Sequence, residues 1–166
     1  MKKIVGVLTA ALLASLLSGA TAIAAPGSCD TAWGSDLRSV LAGATAEVQQ
    51  VRAGTDTCWD RVVIDLAGPA SGYHVQYVDE VTREGSGAVV PVPGAAKLQI
   101  NLNNPVPSTF DVNVAVDGYP TLRSVVYAGG FEGLALGVGV RARLPFRVFT
   151  LTGPDRIVVD IAHRWS

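Results

Sequence analysis

Asp60-Arg61-Val62-Val63-Ile64-Asp65-Leu66-Ala67 is echoed late in the chain as Asp155-Arg156-Ile157-Val158-Val159-Asp160-Ile161-Ala162. In each copy three aliphatic residues take alternate positions, and an Arg and an Asp four residues apart share the opposite face. Period-two alternation is the mark of a half-buried strand. An antiparallel pair with Val63 opposite Val158 sets Arg61 against Asp160 and Asp65 against Arg156. A parallel pair in the matched register would set Arg beside Arg. The expectation is two antiparallel neighbours whose register is held by the ion pairs Arg61–Asp160 and Asp65–Arg156.

The same period runs outward from this pair. Tyr73, Val75 and Tyr77 alternate with His74 and Gln76, and Leu98, Ile100 and Leu102 alternate with Lys97, Gln99 and Asn101. Phe110, Val112, Val114 and Val116 alternate with Asp111, Asn113, Ala115 and Asp117. Residues 122–127, 134–140 and 146–151 complete the set, each run bounded by Gly, Pro, Asn or Asp. About eight short strands at spacings near 10–12 residues predict an all-β protein, an antiparallel β-sandwich. Pro91-Val92-Pro93-Gly94 and Asn103-Asn104-Pro105-Val106-Pro107 read as loops, since Pro cannot sit in a central strand. Residues 26–57 read as the least regular part, with Ser35-Asp36 capping a short helical turn over Leu37 to Leu41.

The first residues point to export. Lys2 and Lys3 precede an apolar run from Ile4 to Leu17, and Ala22-Ile23-Ala24 supplies a small-x-small site, so cleavage is expected between Ala24 and Ala25. A membrane anchor is the rival, but the C-terminal third of the segment is small and polar. A lipoprotein site is disfavoured by Pro26 ahead of Cys29. Losing Lys2 and Lys3 takes the 13 basic side chains to 11 against 14 acidic, a net charge of −3. Weak acidity argues against nucleic acid, which asks for a concentrated basic face, and against electrostatic adhesion to anionic lipid. The two cysteines, Cys29 and Cys58, are expected to pair in an oxidising compartment. Closing a loop of that length is worth about 3.6 kcal/mol in the chain-entropy model. The expected organisation is a signal peptide over residues 1–24, an N-terminal extension over 25–57 tied by Cys29–Cys58, and a β-sandwich over 58–166.

Catalytic patterns are sparse. The two histidines, His74 and His163, have no HxxE, HxH or HExxH spacing, and no G-x-S-x-G elbow occurs. Two distant cysteines with no nearby histidine do not make a metal site. Gly137-Val138-Gly139-Val140-Arg141-Ala142 matches the dinucleotide pattern G-x-G-x-x-A, but its flanks alternate as strands and Leu144-Pro145 stops any helix. The small residues at 135, 137 and 139 are better read as letting another element come close. No catalytic residue, metal or cofactor is therefore expected. Candidates for ligand contact are Tyr73, Tyr77, Arg123, Tyr127 and Trp165, with Tyr119, Arg141 and Arg143 behind them, against the alternative that the aromatics are core.

The stretch Cys58-Trp59-Asp60-Arg61-Val62-Val63-Ile64-Asp65-Leu66 followed by Gly72-Tyr73-His74-Val75-Gln76-Tyr77-Val78 resembles the secreted bacterial AMIN-like domains. Pro145-Phe146-Arg147-Val148-Phe149 and the strand from Pro154 to Ile161 resemble them too, and Trp33-Gly34 with the Cys29–Cys58 spacing is similar to the extension of that group. AMIN domains proper are β-sandwich modules of cell-wall amidases and outer-membrane secretins that localise their parent by binding the envelope, peptidoglycan in particular. The resemblance thus implies an exported, non-catalytic binding or targeting domain whose partner is a cell-wall polymer or an envelope protein. The amidase zinc ligands and a second domain are missing from the pattern. Two further expectations compete. A protein-interaction subunit would dock through a sheet edge. A small hydrolase would place His74 or His163 in a cleft beside a carboxylate. A lipid held between the sheets is a third rival, which the apolar content allows.

Overall fold

The computed structural model describes residues 29–43, 46–129 and 133–165. The leader and its cleavage point at Ala24 and Ala25 lie outside the described residues. The described residues form strands and no helix: β1 (Arg38–Val40), β2 (Val48–Thr55), β3 (Trp59–Leu66), β4 (Tyr73–Val78), β5 (Val81–Thr82), β6 (Val89–Val90), β7 (Ala96–Leu102), β8 (Leu122–Gly129), β9 (Leu134–Val140), β10 (Phe146–Leu151) and β11 (Arg156–Ala162). They build a five-stranded sheet in the order β1-β4-β7-β9-β8, a four-stranded sheet in the order β10-β11-β3-β2, and a small hairpin of β5 and β6. All pairings are antiparallel. The expected antiparallel sandwich is what forms, and the Cys29–Cys58 disulfide ties its N-terminal segment.

The two sheets close on one core because their strands alternate. Val62, Ile64 and Leu66 of β3 and Ile157, Val159 and Ile161 of β11 join Val75, Leu98, Ile100, Leu134, Leu136 and Val138 of the other sheet. Burying each such side chain is worth about 1.5–3 kcal/mol, and these chains fill the space between the sheets. The echoed strands pair with Val63 opposite Val158, Arg61 opposite Asp160 and Asp65 opposite Arg156. Arg61 binds Asp160, but Asp65 does not pair with Arg156. Instead Arg52 of β2 grips Asp65 through Nε at 2.7 Å and Nη2 at 3.0 Å, while Arg156 Nε turns back to the Pro154 carbonyl at 3.1 Å. A planar fork on the neighbouring strand makes two parallel bonds to Asp65, and a side chain at the mouth of a turn finds a local carbonyl.

Three local expectations are corrected. Leu37 to Leu41 is not a helical turn. Residues 38–40 form β1, whose backbone is claimed by the edge of β4 with Val40 opposite Tyr73. The stretch read as irregular also contains β2, which pairs with β3 along its whole length. Its register shifts between Val48 and Gln50, so the buried Val48 and Val51 are three residues apart and the period of two is hidden. Conversely, Phe110 to Val116 alternates as predicted, with Phe110, Val112, Val114 and Val116 packed on the core, yet joins no sheet. Alternating burial reports an extended chain lying on a core, and a ladder needs a partner as well.

The outer faces of the two sheets differ. Over the five-stranded sheet lie β5, β6 and Val92, in a second apolar cluster of Val81, Val90, Val92, Ala128 and Ala135. Gln99 of β7 fastens this cover, its amide exchanging two 3.2 Å hydrogen bonds with the Thr82 backbone. Gly137 and Gly139 make the close approach feasible. A Cβ on Gly137 would lie 2.5 Å from Val92 Cγ2, and one on Gly139 would overlap the Pro93 carbonyl oxygen. Among the described residues no strand covers the outer face of the four-stranded sheet.

Candidate functional site

That open face is a grid fixed by register. One row runs Arg147, Asp160, Arg61 across β10, β11 and β3. The next runs Phe149, Val158, Val63, Arg52, extending to β2, and the third runs Leu151, Arg156, Asp65, Gln50. Trp59 lies on the same face as Arg61, two residues before it. Val63 and Val158 are buried although they point outward, as expected where long Arg stems and an aromatic ring lie over short neighbours.

Asp160 anchors the first row. It is fully buried and bound from both sides. Arg61 approaches with Nε at 2.5 Å and Nη2 at 2.9 Å, and Arg147 with Nε at 2.9 Å and Nη2 at 2.8 Å. The hydrogen bond to Asp160 raises the Arg61 guanidinium above its ordinary value despite partial burial. Arg147 is also caged by rings, its guanidinium carbon 4.3 Å from the Trp33 centroid, 4.9 Å from Trp59 and 5.3 Å from Phe149. Arg61 lies 5.7 Å from Phe149. A guanidinium among aromatic faces is held by its charge against the ring quadrupoles.

Trp33 reaches this cluster from outside the sheet. The disulfide Cys29–Cys58 ties its loop to the start of β3, with the two Cα atoms 5.5 Å apart. Arg38 donates to the Trp33 carbonyl, and the Phe146 N–H donates to Gly34 O at 2.9 Å. The loop, the disulfide and the ends of β3 and β10 together set Trp33 and Trp59 5.7 Å apart, with Arg147 against both. Chemically the arrangement offers ring faces and fixed N–H donors. Among the described residues no group of His, Cys, Asp and Glu could hold a metal ion, and no helix is long and apolar enough to cross a membrane.

The family model of the AMIN-like domain matches residues 46–163. The chain belongs to the AMIN-like domain family. Comparison with curated proteins and with solved structures finds no match. An AMIN-like domain is an envelope-associated binding module, and a disulfide belongs to an oxidising compartment. The match takes in β2 to β11 and the residues Trp59, Arg61, Arg147, Phe149 and Asp160, but not Trp33 or Cys29.

The candidate residues for ligand contact are scattered over the structure. Tyr73 packs against the core. Tyr77 does so too: its hydroxyl donates to Leu144 O at 2.9 Å and accepts from the Leu144 N–H at 3.0 Å, and burial raises its phenol above 10.0. Tyr127 meets Phe110 edge-on at 5.7 Å. Arg123 folds back onto the carbonyls of Tyr119 and Leu122, and Trp165 is exposed with Nε1 donating to Arg143 O at 3.2 Å. The structure brings none of these five to the Arg147 cluster. The outward phase of β3 and β10 names Trp59, Arg147 and Phe149 of that cluster, whereas Trp33, on a loop, has no such signal.

His163 does sit beside a carboxylate, with Nε2 3.0 Å from Asp60 Oδ1 and Nδ1 3.2 Å from Thr57 O. Asp60, fully buried, also accepts from Thr55 Oγ1 at 2.7 Å and from the N–H groups of Thr121 and Leu122 at 2.7 and 2.8 Å. Both Asp60 oxygens and both His163 ring nitrogens are thus engaged within the fold. The cluster fastens β3 of one sheet to the start of β8 in the other.

Proposed function

We propose that this protein is exported by its N-terminal leader and holds a cell-wall glycan, peptidoglycan foremost, on the outer face of its four-stranded sheet. The observation that carries this reading is the Arg147 guanidinium, seated on buried Asp160 and flanked by Trp33 and Trp59 on the face that no described strand covers. Sugar rings present C–H faces that lie on aromatic side chains while their hydroxyls take hydrogen bonds, so fixed rings beside fixed donors suit a glycan. Membership of an envelope-binding family supports the same reading, and the fully engaged Asp60 supports binding without turnover. The domain in this view positions a protein on the wall.

The test is co-sedimentation of the purified protein with insoluble peptidoglycan, with cellulose and chitin as controls. Retention on peptidoglycan, weakened by Trp59→Ala in a protein that still melts cooperatively, is the expected outcome. A folded protein with its disulfide intact that stays in the supernatant would remove the reading.

A second reading has an observation of its own. β2 is an edge strand free of Pro and Lys, and a groove runs between it and the unpaired extended segment, lined by Gln49, Gln50, Pro107, Phe110, Asp111 and Asn113. A partner strand added there would make the module a protein-docking subunit, and its binding would track an envelope protein and be indifferent to the glycan.

A further inference from the structure

One carboxylate serves two guanidinium groups beneath the open face. Asp160 is fully buried, while Arg61 and Arg147 are 35% and 39% exposed. Each arginine spends Nε and Nη2 on Asp160, and among the described residues no acceptor meets either Nη1. Two positive charges therefore share one negative one, and their remaining N–H groups are directed away from it. Of the other acids nearby, one is ion-paired and the other acts only from a distance. Asp65 is paired with Arg52. Asp56 accepts from the Thr57 N–H at 2.6 Å and acts on Arg61 through space, across an exposed turn where solvent and salt screen it. The excess positive charge is local, since the whole chain has 13 basic against 14 acidic side chains.

From this geometry we infer that the site takes an oxyanion, a carboxylate or a phosphate carried by the wall polymer, against the free edges of Arg61 and Arg147. The inference rests on reading this face as the wall-binding surface and names the group it recognises. A guanidinium fork matches a planar or tetrahedral oxyanion with paired hydrogen bonds. Trp33, Trp59 and Phe149 hold Arg147 in place before binding, so little side-chain entropy is lost when the anion arrives. Asp160 orients both forks from below and is out of reach of a ligand. A neutral glycan would lie on the rings but leave the charge uncompensated, so selection by charge is the specificity built into the face.

The experiment uses the purified protein and three preparations of insoluble peptidoglycan: untreated, stripped of phosphate-bearing polymers, and stripped then amidated at its carboxyl groups. The expected result is retention on the stripped wall that is lost on amidation and falls with added NaCl. If stripping alone removes retention, phosphate is the source of the oxyanion and the inference stands. Arg147→Gln should weaken retention by about tenfold or more, the scale of one charge-assisted hydrogen bond. Arg147→Lys, which keeps the charge but not the fork, should recover part of it. Arg83→Gln, which removes a charge from the β5–β6 hairpin over the other sheet, should not change it. Thermal melts of each variant separate loss of binding from loss of fold. Undiminished retention on the amidated wall, unchanged by Arg147→Gln, would overturn the oxyanion and leave the glycan reading standing. No retention on any preparation would remove both.

Discussion

Asp60 collects its four donors from a neighbouring strand, the start of another sheet and the end of the last strand. Burial by itself raises its carboxyl, but the bonds from Thr55, Leu122, His163 and Thr121 outweigh it and hold the group below its ordinary 3.8. A folded pKa below the unfolded one stabilises the fold above the unfolded value and is lost as pH falls through the folded value. Stability to urea should therefore decline as pH falls below about 4, where the unfolded carboxyl titrates. Asp60→Asn should cost about 1–3 kcal/mol at pH 7, because its amide NH2 faces donors, and should flatten that acid decline. Urea midpoints of both proteins at pH 7, 4 and 3 check this, and parallel acid curves would show that Asp60 is not the group responsible.

β9 illustrates how an element can be built for its neighbours. Its inward residues Leu134, Leu136, Val138 and Val140 are core, while Ala135, Gly137 and Gly139 of the same strand lie beneath the hairpin cover. The absence of side chains brings Val92 and the Pro93 carbonyl almost onto the β9 backbone. Gly137→Val should overpack that layer and destabilise by about 1–3 kcal/mol, lowering the melting temperature by several degrees. Differential scanning calorimetry reads the shift, and an unchanged melt would mean that the hairpin lifts away without loss. The pattern that mimicked a dinucleotide loop is thus a packing device. Spacing of small residues was enough to suggest it, because a strand cannot open the helix that the dinucleotide motif requires.

At the scale of the molecule, the sandwich is asymmetric: one sheet is padded by a hairpin and the other presents Trp and Arg. The disulfide bears on that second face, since it anchors the loop that carries Trp33. Reducing it, or replacing both cysteines with serine, should lower stability by about 3.6 kcal/mol on loop-closure grounds and the melting temperature by roughly 10 °C. Near-ultraviolet circular dichroism with and without reductant follows the melt and the Trp33–Trp59 contact together. A tryptophan signal unchanged after reduction would show that the backbone bonds from Arg38 and Phe146 hold Trp33 unaided.

The sequence by itself determined the strand-rich class, the pairing of Cys29 with Cys58 and the register of β3 with β11. Each of these is local or pairwise: side chains on a strand must alternate, and an echoed Arg and Asp fit only one antiparallel register. Segments without an echoed or alternating pattern carry no such mark. The bulge in β2 breaks its period, which hides both the strand and the Arg52 on it that takes Asp65 from Arg156. Residues 110–116 kept the period but have no ladder partner, since pairing is a property of two segments. The Arg147 cluster joins a loop at 33, a strand at 59–61 and strands at 147–160. Only the tertiary structure decided that these meet, because which face of a sheet stays open depends on what the rest of the chain leaves uncovered.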